Sequence, residues 1–164
     1  MVEIAEDLDR ICTTLDKLTL DSLSLIEEEI QLKLILENSM CEGETHLAKA
    51  RYIMGHKNVS ALQLPTENSP EFSASIQTLS NEDEKLYGQK SFEICSIKKD
   101  EDKSVHDPIK WFGILVPQNL NYAQNMFKQA LQWAIQAINV QTQLRETLIA
   151  IGQLKKVKAN MFVK

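Results

Sequence analysis

Five glycines and four prolines among 164 residues are too few to turn a chain through a many-stranded sandwich or barrel, so helices must dominate. Cys12, Cys41 and Cys95 are an odd number with no Cys-x-x-Cys spacing, which suggests neither a disulfide framework nor a thiol zinc site. A reducing compartment is the default for such a chain. The opening residues, Val2-Glu3-Ile4-Ala5-Glu6-Asp7, are acidic where a signal peptide needs a basic stretch followed by an apolar one, so no secretory targeting is expected from them. The Leu/Ile-rich stretch from Leu20 to Leu36 contains Asp21, Glu27, Glu28, Glu29 and Lys33, and each central charge costs about 2.5–3.5 kcal/mol on insertion into a membrane. A transmembrane helix is not expected there. Glycine-rich phosphate loops, Gly-x-Ser-x-Gly turns and a Cys/His pairing are missing as well, so neither an enzyme nor a cofactor site is expected.

What is present is the composition of a folded soluble chain, 43% apolar and 25% charged. The net charge of −5 is unevenly spread: residues 1–57 carry −6, residues 58–117 carry −4 and residues 118–164 carry +5. Oppositely charged arms favour packing on each other and disfavour self-pairing.

Hydrophobic spacing agrees with that. Ile4, Leu8, Ile11, Leu15 and Leu18 recur at alternating steps of 4 and 3, the seam of a coiled coil, which continues through Ser22, Leu25, Glu29, Leu32 and Leu36. Ser22 and Glu29 interrupt it, while Leu23, Ile26 and Ile30 form a second apolar row beside it, a face wide enough to touch more than one partner helix. A second seam runs through Ala123, Phe127, Ala130, Ala134, Ala137, Gln141, Leu144, Leu148, Ile151, Lys155, Lys158 and Phe162. Its alanines imply close helix approach, and Pro117 suits the first helical turn. Lys155, Lys156, Lys158 and Lys164 crowd the end, where cations complement the helix dipole.

The stretch between lacks helical periodicity and is broken by Pro65, Pro70, Glu82-Asp83-Glu84 and the mixed-charge run Lys98 to Lys103. Phe92, Ile94 and Ile97 stand between polar residues within Leu86 to Ile97 and allow a short strand. The remainder reads as mobile linker. The expected fold is all-α: an antiparallel two-helix coiled-coil hairpin with a long, largely irregular middle. Its parts are an acidic coiled-coil helix over 1–57, a mobile acidic linker over 58–110, and an apolar block plus basic coiled-coil helix over 111–164.

Two blocks flank the linker, Leu47-Ala-Lys-Ala-Arg-Tyr-Ile-Met-Gly55 and Asp107-Pro-Ile-Lys-Trp-Phe-Gly-Ile-Leu-Val-Pro117. Together with their order and the acidic middle, they resemble the coiled-coil domain-containing assembly factors of the vacuolar-type proton ATPase. That resemblance implies a non-catalytic assembly chaperone for the membrane (Vo) sector of the pump, bound to a membrane-anchored assembly factor at the cytoplasmic face of the endoplasmic reticulum. Early secretory vesicles and the lysosome are further implied locations. The partners implied are that factor and Vo subunits during assembly, with membranes reached only through partners. The alternative from another class is a coiled-coil adaptor or tether subunit of a vesicle-trafficking complex.

The residues have bland readings beside the sharp ones. Trp111, Phe112, Ile114, Leu115 and Val116 suit a cap over the end of the two-helix core, or an anchor for a partner groove. Both hold if one ring faces inward and one outward, with Trp111 then carrying stability and Phe112 binding. Lys49 and Arg51 beside Tyr52 suit a helix C-terminus ending at Gly55, or a docking site for an acidic loop or anionic headgroup. His46, His56 and His106 lack metal-site spacing and read as structural or solvated. Glu27, Glu28 and Glu29 point in different directions on a helix and read as a solvated face, with Glu29 a candidate partner for a basic residue of the opposite arm. The candidate partner-binding residues are Lys49, Arg51, Tyr52, Trp111, Phe112, Leu115, Leu23, Ile26 and Ile30.

Overall fold

A computed structural model describes residues 2–83, 89–97 and 107–162. Glu84, Leu86, the run from Lys98 to Lys103, His106 and Lys164 lie outside the described residues, as do the side chains of Ile4, Glu82, Asp83 and Phe162. The chain is mostly helical. Helix α1 spans Val2–Met54 and helix α2 spans Gln118–Phe162, with strands β1 (Ile76–Asp83) and β2 (Gln89–Ser96) between them. Two 3-10 turns, Ala61–Gln63 and Pro108–Phe112, complete the set. At 1.5 Å per residue α1 is about 80 Å long.

The two helices pack side by side in opposite directions. Leu25 and Leu32 meet Trp133, Ala137 and Val140, Gly43 lies against Phe127, and Ala50 packs on Leu120. Residue numbers fall on one helix as they rise on the other. From Leu8 to Leu36 the seam of α1 is buried or half-buried where the spacing puts it, and the polar interruptions do not break it. Ser22 and Ser39 are both buried, their hydroxyls donating to the carbonyls of Thr19 at 2.7 Å and Ile35 at 2.9 Å. A serine that bonds its own preceding turn costs the interface no unpaired donor. The expected pairing of Glu29 across the seam is corrected: its carboxylate binds Lys33 of its own helix at 2.7 Å. That i,i+4 order, acid before base, suits the helix dipole and contributes about 0.3–0.5 kcal/mol.

On α2 the buried row includes Leu120, Ala123, Ala130, Ala137, Val140, Leu144 and Ile151. Midway it runs through Val140 and Thr147 in place of the expected Gln141 and Leu148, both of which are exposed. Valine gains from burial where glutamine would strand an amide, and the Thr147 hydroxyl is satisfied by the Gln143 carbonyl at 2.9 Å. Small residues at the contact let the helices approach closely. The Phe127 ring lies so near Gly43 that a Cβ there would sit 2.8 Å from its Cε1. Gly43→Ala therefore sets a clash of roughly 1–3 kcal/mol against a propensity gain of about 1 kcal/mol. A net loss of order 1 kcal/mol in denaturant unfolding is expected, removed when Phe127→Leu is added.

The end of α1 follows the sequence. Gly55 takes φ +88°, and its N–H donates to the Arg51 carbonyl at 3.0 Å. Asn58 Nδ2 covers the Met54 carbonyl at 2.7 Å, and Arg51 Nε donates to the Val59 carbonyl at 3.1 Å, folding the chain back on the helix. Val59 thereby joins Ala50 and Leu120 in a small buried cluster.

The reading of the middle as largely irregular needs correction, because two antiparallel strands pair there, from Ile76 opposite Ser96 to Asp83 opposite Gln89. β2 falls within the segment where the sequence allows a short strand. β1, Ile-Gln-Thr-Leu-Ser-Asn-Glu-Asp, has little alternation to show. β2 lies against α2, where Asn139 Oδ1 accepts from the Phe92 N–H and Asn139 Nδ2 donates to the Phe92 carbonyl, both at 2.9 Å. One side-chain amide thus satisfies a strand edge as a third strand would.

Candidate partner-binding surfaces

Three surfaces hold the candidate residues. The first is a row on α1. Leu23 (58% exposed), Ile26 (38%) and Ile30 (53%) continue into Leu34 and lie about 110° round the helix from the buried seam. Ile138 and Ile149 of α2, also exposed, lie about the same angle from their own seam. Antiparallel helices turn in opposite senses when viewed from one end, so both rows fall on one side of the pair. An open groove of about 780 Å³ is lined by Glu29 of α1 and by Thr142, Arg145, Leu148 and Ile149 of α2.

The second surface is the block before α2. Asp107 caps the turn Pro108–Phe112: its Oδ1 accepts from the Ile109 N–H at 3.2 Å and from Gln124 Nε2 of α2 at 2.6 Å. Pro108 supplies the fixed φ behind that cap. Phe112 and Val116 pack against Ala50, Val59 and Leu120. Trp111 does not join that cluster. Its ring meets Phe72 edge-on, centroids 5.2 Å apart, beside a shallow hollow lined by Leu64, Pro65 and Pro70. Both rings are half-buried, Phe112 against the helix contact and Trp111 against Phe72, whereas the expectation gave the place at the core to Trp111. Phe112 also borders an apolar cavity of about 340 Å³ with Leu47, Ile76, Ile109, Phe127 and Leu131.

The third surface is the end of the rod where α1 stops and α2 starts. Tyr52 is 90% exposed and Leu115 93%, while Ile114, which the sequence reading left out of its candidates, is 100% exposed. Lys49 and Arg51 are exposed on the same last turns of α1, and Ile53 beside them is exposed as well. His46 faces α2, Nδ1 lying 3.1 Å from Asn119 Oδ1 and the ring tilted against Tyr122. His56 is exposed. Among the described residues no three His, Cys, Asp or Glu side chains come together to hold a metal ion, and no helix is long and apolar enough to cross a membrane.

Comparison with known proteins now decides the family. The profile of the Vma22/CCDC115 family matches residues 57–130, from the turn after α1 through the sheet and the Trp-Phe block into α2. A Mus musculus protein named Vacuolar ATPase assembly protein VMA22 is 30% identical over 155 positions, covering 79% of this chain and 83% of the relative. The chain belongs to the Vma22/CCDC115 family. Relatives with the same name from Danio rerio, 29% identical over 170 positions, and Homo sapiens, 28% over 155, each cover 79% of the chain and 81% and 83% of their own length. The profile takes in Asp107 to Pro117 but starts beyond the Leu47 to Gly55 block. The Vma22/CCDC115 match therefore centres on the turn, sheet and block, the elements that periodicity left least defined. Asn139 was also missed by the sequence reading. A lone amide between Ile138 and Val140 was its only signal.

Proposed function

We propose that the chain is a non-catalytic assembly factor for the membrane sector of the vacuolar-type proton ATPase. In this reading the two helices form a coiled-coil hairpin, and the chain works with a membrane-anchored assembly factor at the cytoplasmic face of the endoplasmic reticulum, leaving before the pump is complete. Family membership supports the process, since the relatives carry the name of vacuolar ATPase assembly proteins. The observation that carries the mode of action is the unpartnered row Leu23, Ile26, Ile30 on α1 with Ile138 and Ile149 of α2 beside it.

A compact monomer of this mass exposes about 8,300 Å². The chain exposes 12579 Å², the larger area that an elongated two-helix rod has, and the exposed apolar row lies within it. A helix laid along the groove would bury the row as a third member of the bundle, with anchors at the i, i+3, i+7 spacing of helix-in-groove recognition. Tagged protein should capture immature membrane sector and be absent from the complete pump. The Leu23→Ser/Ile26→Ser/Ile30→Ser variant should lose that capture at least roughly tenfold while melting within about 2 °C of the parent, since exposed residues contribute little to folding. Capture of vesicle-coat or motor proteins in place of the pump sector would sink the reading, as would undiminished capture by the triple variant.

A further inference from the structure

The apolar end of the rod is a separate surface from the α1 row, and two features distinguish it. The first is its shape. Ile114 and Leu115, side by side, are the most exposed large apolar residues described, at 100% and 93%. They sit on a bend whose two ends are tied down, Phe112 and Val116 on either side being packed into the cluster of Ala50, Val59 and Leu120. Gly113 sets the bend with φ +135°, a conformation closed to most L-residues, and Pro117 stiffens its exit into α2. The pair is thus held out on an apex that none of the described residues covers. Tyr52 and Ile53, on the last turn of α1, add an exposed aromatic and a third aliphatic at the same end.

The second feature is charge. A chain of net −5 has no Asp or Glu from residue 45 to residue 66, where Lys49, Arg51 and Lys57 fall, and none from residue 108 to residue 145. Asp107, the nearest acid in the chain, is engaged by Ile109 and Gln124. At the far end the cations Lys155, Lys156 and Lys158 of α2 run beside the acidic N-terminal half of α1. At this end Lys49, Arg51 and Lys57 are exposed, Glu71 lines the hollow beside Trp111, and Arg51 is held in place through its Nε bond to Val59.

We propose that this end is a membrane-contacting wedge, taking the headgroup and upper acyl region of a bilayer rich in anionic lipid. A convex, fully exposed Ile-Leu apex suits a fluid that can close around it. Lys49, about one turn behind Ile53, and Arg51, about half a turn behind it, stand at the depth of headgroup phosphates, and Tyr52 at the interface between them. The expectation that membranes are met only through partners rested on the resemblance and on the lack of a transmembrane span or a long basic amphipathic face. A short wedge needs neither, and its affinity is that of a weak, reversible contact that adds to a partner's anchor.

The test is flotation of the purified full chain with vesicles of phosphatidylcholine alone and of phosphatidylcholine with about a third phosphatidylserine, the range in which surface charge adds measurably to binding. The parent should float with the anionic vesicles, less so at high salt, and stay behind with the neutral ones. Ile114→Ser/Leu115→Ser should reduce flotation roughly tenfold with melting unchanged, because neither side chain packs on the protein. Lys49→Glu/Lys57→Glu should reduce it with the apex intact. A parent that fails to float with anionic vesicles, or a serine variant that floats as well as the parent, overturns the proposal. So does a serine variant that loses capture of the pump sector when the parent shows no vesicle binding, since the apex is then a protein contact. The α1 triple variant should still float, which separates failure of the wedge from failure of the assembly reading.

Discussion

Phe112→Ala is expected to lower the unfolding free energy by about 3 kcal/mol, and Trp111→Ala by only about 1 kcal/mol. The difference follows from what each ring touches. Phe112 packs on the cluster of Ala50, Val59 and Leu120, the point where the end of α1, the chain reversal and the start of α2 meet. Truncating it removes transfer energy and leaves a void beside a cavity already about 340 Å³ in volume, into which little can collapse without dragging the Pro108–Phe112 turn. Trp111 stands half-buried with an edge-on contact to Phe72, and such ring pairs are worth roughly 0.5–1.5 kcal/mol. For a chain of this length the expected fall in melting temperature is about 6–12 °C for Phe112→Ala and about 2–4 °C for Trp111→Ala. Thermal scans of the two single variants check it. A larger loss from the tryptophan change would mean that the ring on Phe72, and not the cluster under Phe112, holds the block to the helices.

The helical part of the fold was legible because its signals are redundant. Seam spacing, opposite charge on the two arms, Pro117 before α2 and Gly55 after α1 all pointed to two long helices, and each is a local property of the sequence. The error on α2 was one of phase. Gln141 and Leu148 satisfied a strict alternation of 4 and 3, but the neighbour that is cheaper to desolvate, Val140, occupies the contact. The charge argument had a different outcome from the one it suggested. The arms do pack on each other, but Glu29 turned to Lys33 on its own helix, and apolar contact holds the pair where Leu25 and Leu32 meet Ala137 and Val140.

The sheet was only half legible because the bonds that make it are not local. Phe92 and Ile94 alternate with polar residues as a half-buried strand should, whereas β1 has Thr78 and Ser80 where apolar residues would have marked it. Its pairing depends on β2, and β2 in turn is held by a residue more than forty positions away in a helix. Much the same holds for the exposed apolar surfaces. The row of Leu23, Ile26 and Ile30 was found because a second apolar row is visible in the spacing. The exposure of Ile114 was not, because an apolar residue among apolar neighbours reads as core until the backbone shows it held outward.

Asn139, on α2, is therefore a residue through which the middle segment can be released while the packing of the two helices on each other is kept. Its amide accepts from and donates to the same residue, Phe92, so its loss removes two hydrogen bonds and leaves both backbone groups of a strand edge to find water. Asn139→Ala is expected to cost about 2 kcal/mol in docking of the sheet, seen as amide exchange over 76–96 accelerated roughly thirtyfold while exchange in α1 and α2 is unchanged. Asn139→Asp discriminates further. An ionised carboxylate still accepts from the Phe92 N–H but faces the Phe92 carbonyl with a second acceptor, so its loss should equal or exceed that of alanine at neutral pH. Protonating it restores a donor, and protection of the strands should return as pH falls through the titration of that carboxyl, the reverse of ordinary acid destabilisation. Strand amides that exchange at the parent rate in Asn139→Ala would show that the sheet is held by its apolar face alone. A lack of recovery on acidification would show that the Nδ2 bond to the Phe92 carbonyl contributes little.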